Sequence, residues 1–300
     1  ILADDSGFLG QDLTRFLVGK GYSVVILARR ATMRGSSIRS IEWDGRTRGS
    51  WMRYLSGAKA VVNLAGKSVN CLHNERNRRE ILNSRLDSVR ILGEAVRSAD
   101  RPPQAFIQAT SLEIYGNTAE RINDEYAPPG SGFLAEACQR WEELMHEIDL
   151  PASRRIILRM GLALGPGNSA LAALAQLTKS YLGGSIGSGN QYISWIHVDD
   201  LNEMVRWSIE RPDVQGIYSA TSPNPVTNRE FMRELRLALN RPWSPPIPVF
   251  AVKLGAKFIS RTEASLALTG RRCIPRRFLQ QGFEFQQPEL AQALRDVLAR

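Results

Sequence analysis

In the opening stretch ILADDSGFLGQDLTRFL the apolar positions change period at the glycines. Ile1 to Ala3 form a short apolar run, and Phe8, Leu9, Leu13, Phe16 and Leu17 then recur every three or four residues, the spacing of one helix face. The next segment, GYSVVILARR, is β-branched and strand-like. Ile1 to Arg30 therefore reads as strand, helix, strand, with Gly7 and Gly10 at the first turn. The alternation continues along the chain. AKAVVNLAG and QAFIQATS are strand-like and are separated by a helical pattern from about Glu75 to Ser98. RRIILRMGLALGPG follows the helix FLAEACQRWEELMHEI, and YISWIHVDDLNEMVRWSIE with GIYSATS supplies one more helix and a last strand. This order predicts an α/β, Rossmann-type doubly wound parallel sheet.

After Ser222 the pattern changes. PNPVT opens the helix NREFMRELRLAL, NRPWSPPIPVF is a Pro-rich connection, and the remainder is helical around the basic knot GRRCIPRRF. Two domains are expected. Residues 1–222 form a dinucleotide-binding domain whose segment 163–188 contributes to the substrate side, and residues 223–300 form a smaller, mostly helical module over the strand ends, where such sheets bind ligands.

Composition narrows the class. The chain has 300 residues, 43% hydrophobic and 23% charged, which suits a globular protein with a sizeable core and argues against disorder. No window approaches the roughly 18 consecutive apolar residues that a membrane helix needs, so a soluble protein is expected. Ile1 already lies in the first strand, so a natural start further upstream is expected. Cys71, Cys138 and Cys273 are far apart and form no CxxC, which favours a reducing compartment, cytoplasm or organelle interior, over disulfides or zinc. No metal is expected. The net charge of +9 favours anionic partners: phosphorylated cofactors, acidic proteins or nucleic acid. The last is the weakest, because RRCIPRR lacks interleaved aromatics.

The glycine turn carries the cofactor chemistry. Backbone amides and a helix N-terminus meet a pyrophosphate there, so side chains should be small and uncharged. Ser6, Gly7, Phe8, Leu9 and Gly10 are the candidate contacts, whereas Asp4 stands where the first glycine would be and its carboxylate would repel the phosphates. The second strand ends in Arg29 and Arg30 instead of the acid that binds a ribose 2′-hydroxyl, which suits the 2′-phosphate of NADP. Arg30 reads equally well as a solvated loop charge. Asp44 is a further cofactor-side candidate, as are Leu64, Ala65 and Gly66 in the turn after the strand AVVN, although small residues there also suit plain loop geometry.

GFLG, VVNLAG, RREILNSR, FLAEACQRWE, LRMGLALGPG, SWIHVDDL, SPNPVTNREF and RRCIPRRFLQQGFEF occur in order across nearly the whole chain. In that arrangement the sequence resembles the atypical short-chain dehydrogenase/reductase group labelled nucleoside-diphosphate-sugar epimerase-like, including its C-terminal module of unknown function. The resemblance implies a Rossmann domain with NADP(H), an oxidoreductase or sugar-nucleotide epimerase, and an unspecified small-molecule substrate. Typical members use a Tyr-x-x-x-Lys pair for proton exchange; here the corresponding positions are Leu134 and Cys138, or Phe133 and Ala137 in the other register. Neither supplies the pair. Thr110 or Ser111 would take the place of the hydroxyl that polarises a carbonyl, or both satisfy backbone groups after the strand. Glu136 is a candidate proton carrier expected on the cofactor side with Cys138, and Arg85 takes the place of an active-site Asn, contributing to the cofactor and catalytic sets. Cys138 is otherwise a packing residue, and His197 with Asp199 is expected to start a helix. The missing pair and Asp4 leave a second class open: a non-catalytic protein that senses NADP(H) and works through a protein partner.

Overall fold

The computed structural model describes residues 1–3, 7–30, 35–256 and 262–300. Seven parallel strands form the central sheet: β1 (Leu2–Ala3), β2 (Val24–Ala28), β3 (Ile38–Glu42), β4 (Ala60–Asn63), β5 (Ala105–Ser111), β6 (Arg154–Met160) and β7 (Gly216–Ala220). Their spatial order is β7-β6-β5-β4-β1-β2-β3, so the order reverses at β1. The inner strands are mostly apolar because both of their faces are covered. On one face α1 (Phe8–Gly19) and α5 (Val198–Glu210) pack Leu13, Leu17 and Met204 on Ile26, Val62 and Ile107. On the other, α2 (Glu75–Arg97) and α3 (Phe133–Glu147) pack Val89, Leu92, Trp141 and Met145 on Val61 and Phe106. α2 and α3 each bury one stripe, as their spacing predicts.

β3 was not anticipated. None of its five residues IRSIE is buried, and Arg39 and Glu42 are exposed, because it is an edge strand of the sheet and carries little apolar signal. It is held by parallel pairing with β2, Val24 opposite Ile38 and Ala28 opposite Glu42.

A second apolar core lies apart from the sheet. α4 (Ser169–Lys179), α6 (Asn228–Ala238) and α10 (Leu290–Ala299) enclose Leu171, Phe231, Met232, Leu235 and Leu294 with Trp195. Residues from 162–197 and from beyond 223 thus share this core. α7 (Val249–Gly255), α8 (Ser265–Leu268) and α9 (Arg276–Gln280) connect α6 to α10. Two carboxylates tie these connections back. Asp200 on α5 accepts from the Gln286 and Gln287 amides at 2.7 and 3.0 Å, and Glu125 accepts from the Ser219 and Arg277 amides at 2.9 and 3.3 Å.

Candidate functional site: a glycine turn and the neighbouring strand ends

β1 delivers the chain to the glycine turn at the point where strand order reverses. Asp4 and Ser6 lie outside the described residues. Gly7 is the N-cap of α1 in extended conformation, φ −70° and ψ 164°, and supplies no side-chain oxygen to the helix amides. The first turn of the helix itself holds no acidic residue. Phe8 and Leu9 are partly buried and Gly10 is buried, with Thr14 donating to its carbonyl at 2.7 Å. Gly165 and Gly167 lie against Phe8: a Cβ on Gly165 would sit 2.9 Å from Val198 at the start of α5 and 3.2 Å from the Phe8 ring, so this glycine lets the chain pass between α5 and the turn.

The turn after β4 is fixed by a buried amide pair. Asn63 donates to Gln108 at 2.8 Å and to Ser88 at 3.1 Å, and accepts from the Ala65 amide. Leu64 bonds back to the Ala3 carbonyl at 2.8 Å, which carries Leu64, Ala65 and Gly66 beside the end of β1. Arg29 and Arg30 are exposed immediately beyond β2. Asp44, exposed just beyond β3, caps its own turn by accepting from the Thr47 and Arg46 amides at 2.9 Å, and these bonds hold its carboxyl below the usual range. Its carboxylate is thereby engaged locally.

At the next strand end the two candidate hydroxyls separate. Thr110 is buried and donates to Glu142 at 2.9 Å. Ser111 is partly buried and its oxygen caps a short 3₁₀ turn, Leu112–Tyr115, by accepting from the Glu113 amide at 3.2 Å. Glu136 and Cys138, expected on one face of α3, are also separated: Glu136 is exposed and Cys138 buried. Residues two apart on a helix do not share a face. Burial pushes the Cys138 thiol up to about 12, with Arg85 and the Ser111 backbone acting in the opposite sense. Arg85 packs its stem on Gly66, stacks its guanidinium over Trp141 at 5.0 Å and donates to the Lys67 and Ile81 carbonyls at 3.0 and 2.9 Å.

One network escaped the sequence reading. Arg159 makes a two-pronged pair with Glu142, Nε to Oε1 at 2.9 Å and Nη2 to Oε2 at 2.7 Å, and donates from Nη1 to the Tyr115 hydroxyl at 2.7 Å. Tyr115 in turn donates to the Asp124 carbonyl at 2.7 Å. The available signal was an arginine inside an apolar strand and a glutamate on the buried stripe of α3, a combination that calls for pairing.

Two other motifs have structural partners. In the basic knot, Arg271 pairs with Glu113, Arg276 with Asp124, Arg277 bonds the Ile217 and Gln215 carbonyls, and Arg272 stacks over Tyr192. His197 caps α5 by accepting from the Asp199 amide at 3.2 Å, and its other nitrogen lies 3.1 Å from Asp296. His197, Asp199 and Asp296 have the spacing of a cation site, but the Arg300 guanidinium bonds both carboxylates.

A parallel sheet that reverses at β1, with a glycine-capped helix at the reversal, defines a dinucleotide-binding Rossmann fold. The model of the NAD-dependent epimerase/dehydratase family matches residues 5–220, and the chain belongs to that family. A domain of unknown function matches residues 247–297. The chain is 33% identical to epimerase family protein SDR39U1 of Bos taurus, covering 100% of this chain and 99% of that protein. It is 30% identical to epimerase family protein YfhF of Bacillus subtilis, covering 98% and 96%. A relative from Arabidopsis thaliana, 30% identical over 98% of this chain and 84% of its own length, is named as chloroplastic. The crystal structure of human epimerase family protein SDR39U1 with NADPH superposes with a TM-score of 0.86 at 29% identity, covering 100% of this chain and 99% of that one. No described helix is long and apolar enough to cross a membrane.

Proposed function

We propose that the protein binds NADP(H) with its pyrophosphate at the Gly7–Gly10 turn and acts as an atypical oxidoreductase or epimerase lacking the Tyr-x-x-x-Lys pair. The observation that carries this reading is the glycine N-cap of α1, which brings no side chain to the turn, at the strand-order reversal, with Arg29 and Arg30 beyond β2 where an acid would select NAD. The human relative's structure with NADPH supports it. Gly7, Phe8, Leu9 and Gly10 would hold the phosphates, Arg29 the 2′-phosphate, and Leu64, Ala65 and Gly66 would pass the ribose. The cofactor would supply or accept hydride. Of the two hydroxyls, Ser111 is the one left to polarise a substrate oxygen, because Thr110 is bonded to Glu142. Glu136 lies on the exposed face of α3, which leaves proton transfer to Ser111 or to water.

A second reading has one specific observation in its favour. Leu134 has no ionisable group, and the Cys138 thiol is pushed to about 12, so neither position of the missing pair offers a proton carrier near neutral pH. On that reading the protein senses NADP(H) and acts through a protein partner. Calorimetric titration with NADPH and NADH, followed by turnover on carbonyl and nucleotide-sugar panels, tests both. Preferential NADPH binding with turnover supports the enzyme; NADPH binding with no turnover supports the sensor; no binding of either dinucleotide defeats both.

A further inference from the structure

His73 is a buried histidine with one ring nitrogen left open. It lies on the loop that leads from Gly66 to α2, and its ring meets that of Phe133, the first residue of α3, edge to face at 5.4 Å between centroids. Nε2 lies 3.0 Å from the Val69 carbonyl. A carbonyl only accepts, so Nε2 carries the hydrogen and Nδ1 of the neutral ring carries a lone pair. Nδ1 has no hydrogen-bond partner among the described residues and is not sealed from solvent, although the residue as a whole is only 9% exposed. His197, which serves structure, is different: it is fully buried, Nδ1 accepts from the Asp199 amide and Nε2 lies against Asp296.

The open nitrogen lies at a seam. The His73 amide donates to Glu263 at 2.7 Å, so the loop after β4, the start of α3 and the chain beyond residue 223 meet at this residue. Ligand pockets form by preference where such units meet beyond the strand ends. Phe133 stands at one of the two positions where the reductase tyrosine would be, and Cys138, five residues on, lies against the Ser111 backbone, about 7.5 Å further along the helix at 1.5 Å per residue. The ionisable groups around His73 are turned to other atoms. Arg78 of α2 donates to the His73 carbonyl at 2.7 Å and lies over the Phe133 ring, Lys67 pairs with Glu80, the Cys71 thiol lies against the Ser68 carbonyl, and Glu263 bonds the amide rather than the ring.

We infer that His73 is the base of the site: the proton that leaves a substrate hydroxyl, by way of Ser111 or water, ends on Nδ1. This deepens the oxidoreductase reading and rests on it. As the hydroxyl becomes a carbonyl, its O–H electron pair forms the C=O bond, the carbon-bound hydrogen departs as hydride to NADP, and the neutral imidazole becomes an imidazolium. In the reverse direction Nδ1–H returns the proton to the carbonyl oxygen. The fixed Nε2–H bond to Val69 keeps the accepting nitrogen on the open side.

Magnetic resonance of the full chain with isotope-labelled histidine needs no turnover. Signals of the three histidines are assigned with His146→Gln and His73→Gln. The neutral His73 ring should carry its hydrogen on Nε2 and take up a second at Nδ1 as pH falls, while the protein stays folded. A ring with its hydrogen on Nδ1, or one that takes up no proton before the protein unfolds, overturns the inference. Diacetyl with NADPH and acetoin with NADP are the activity probes. His73→Gln keeps an amide donor for the Val69 carbonyl but has no basic nitrogen. It should lower kcat about 100-fold or more, leave KM and NADPH affinity within about threefold, and remove the acid limb of the pH profile for acetoin oxidation. If that variant does not fold, the wild-type titration decides. Turnover that survives in His73→Gln with its acid limb intact defeats this base alone, whereas a wild type that binds NADPH and turns over neither probe defeats the oxidoreductase reading and the base with it.

Discussion

Thr110 Oγ1 donates a 2.9 Å hydrogen bond to Glu142 Oε1, on the same carboxylate that receives the Arg159 guanidinium. The bond is buried, so removing its donor leaves part of a buried charge less well solvated, at a cost of about 1–3 kcal/mol. Thr110→Val should therefore lower unfolding free energy by that amount and leave chemistry per folded molecule nearly intact. Ser111→Ala should show the reverse: a stability loss of about 1 kcal/mol or less, from one short-turn cap, and loss of NADPH-linked turnover. Urea denaturation and turnover measured on the same preparations distinguish them. Equal loss of turnover in both variants would mean that Ser111 is not the reacting hydroxyl.

The sheet was legible because period and length agree in the sequence. β2, β4, β5 and β6 are apolar runs covered on both faces, and α2 and α3 carry clear stripes. β3 was not, since a half-exposed outer strand reading IRSIE has no strong period. Near the candidate site, the turns that follow β1 and β4 were legible where backbone geometry dictates residue type, at Gly7, Gly10 and Gly66. It was not legible where partners are distant in sequence. Thr110 with Glu142 and Glu142 with Arg159 are 32 and 17 residues apart, and only the fold reveals which hydroxyl is already bonded. The shared face expected for Glu136 and Cys138 failed on simple helix geometry, two residues being more than half a turn.

Cofactor choice should depend on Arg29. The residue follows β2 directly and is exposed, the position at which this fold meets the adenosine ribose. A charged contact to the 2′-phosphate contributes on the order of 1.5–3 kcal/mol, or roughly 10- to 100-fold in affinity. Arg29→Ala should lose that much NADPH affinity and leave NADH unchanged, read by calorimetry at fixed salt. A variant that keeps the wild-type preference would move the selectivity to Arg30.

Asp4 lies outside the described residues, and its expected effect comes from sequence position alone. A carboxylate at the glycine turn repels the pyrophosphate by about 2–4 kcal/mol at an effective dielectric near 20, much of which it recovers by turning to water. Asp4→Gly should tighten NADPH roughly 10- to 100-fold, most clearly at low salt where screening is weakest. An unchanged dissociation constant across a salt series would show that this carboxylate does not face the phosphates.

Glu125 gives a pH dependence with a definite sign. Its Oε1 accepts the Ser219 and Arg277 amides, while Oε2 is buried with no partner among the described residues. Burial is the largest influence and raises the pKa, with Asp124 adding to it and the amide bonds opposing it. A buried oxygen without a donor is better tolerated as part of a neutral acid than of an ion. As pH rises past the ordinary glutamate value of about 4.3, the unfolded chain releases this proton while the folded protein retains it. The contribution of Glu125 is thus complete below that pH and is lost as pH rises through the raised folded value, with a slope of up to about 1.4 kcal/mol per pH unit for one proton. Glu125→Gln keeps a carbonyl for the two amides and cannot ionise. Urea unfolding of wild type and variant at matched pH values from 4 to 8 isolates this group, because the opposing titration of Asp124 and the like-signed titration of Asp200 are common to both and largely cancel in the difference. The variant should gain on wild type as pH rises from about 4 and then hold a constant difference once the folded protein has also released its proton. A difference that stays flat across the whole range would mean that Glu125 ionises in the folded protein as readily as in the unfolded chain.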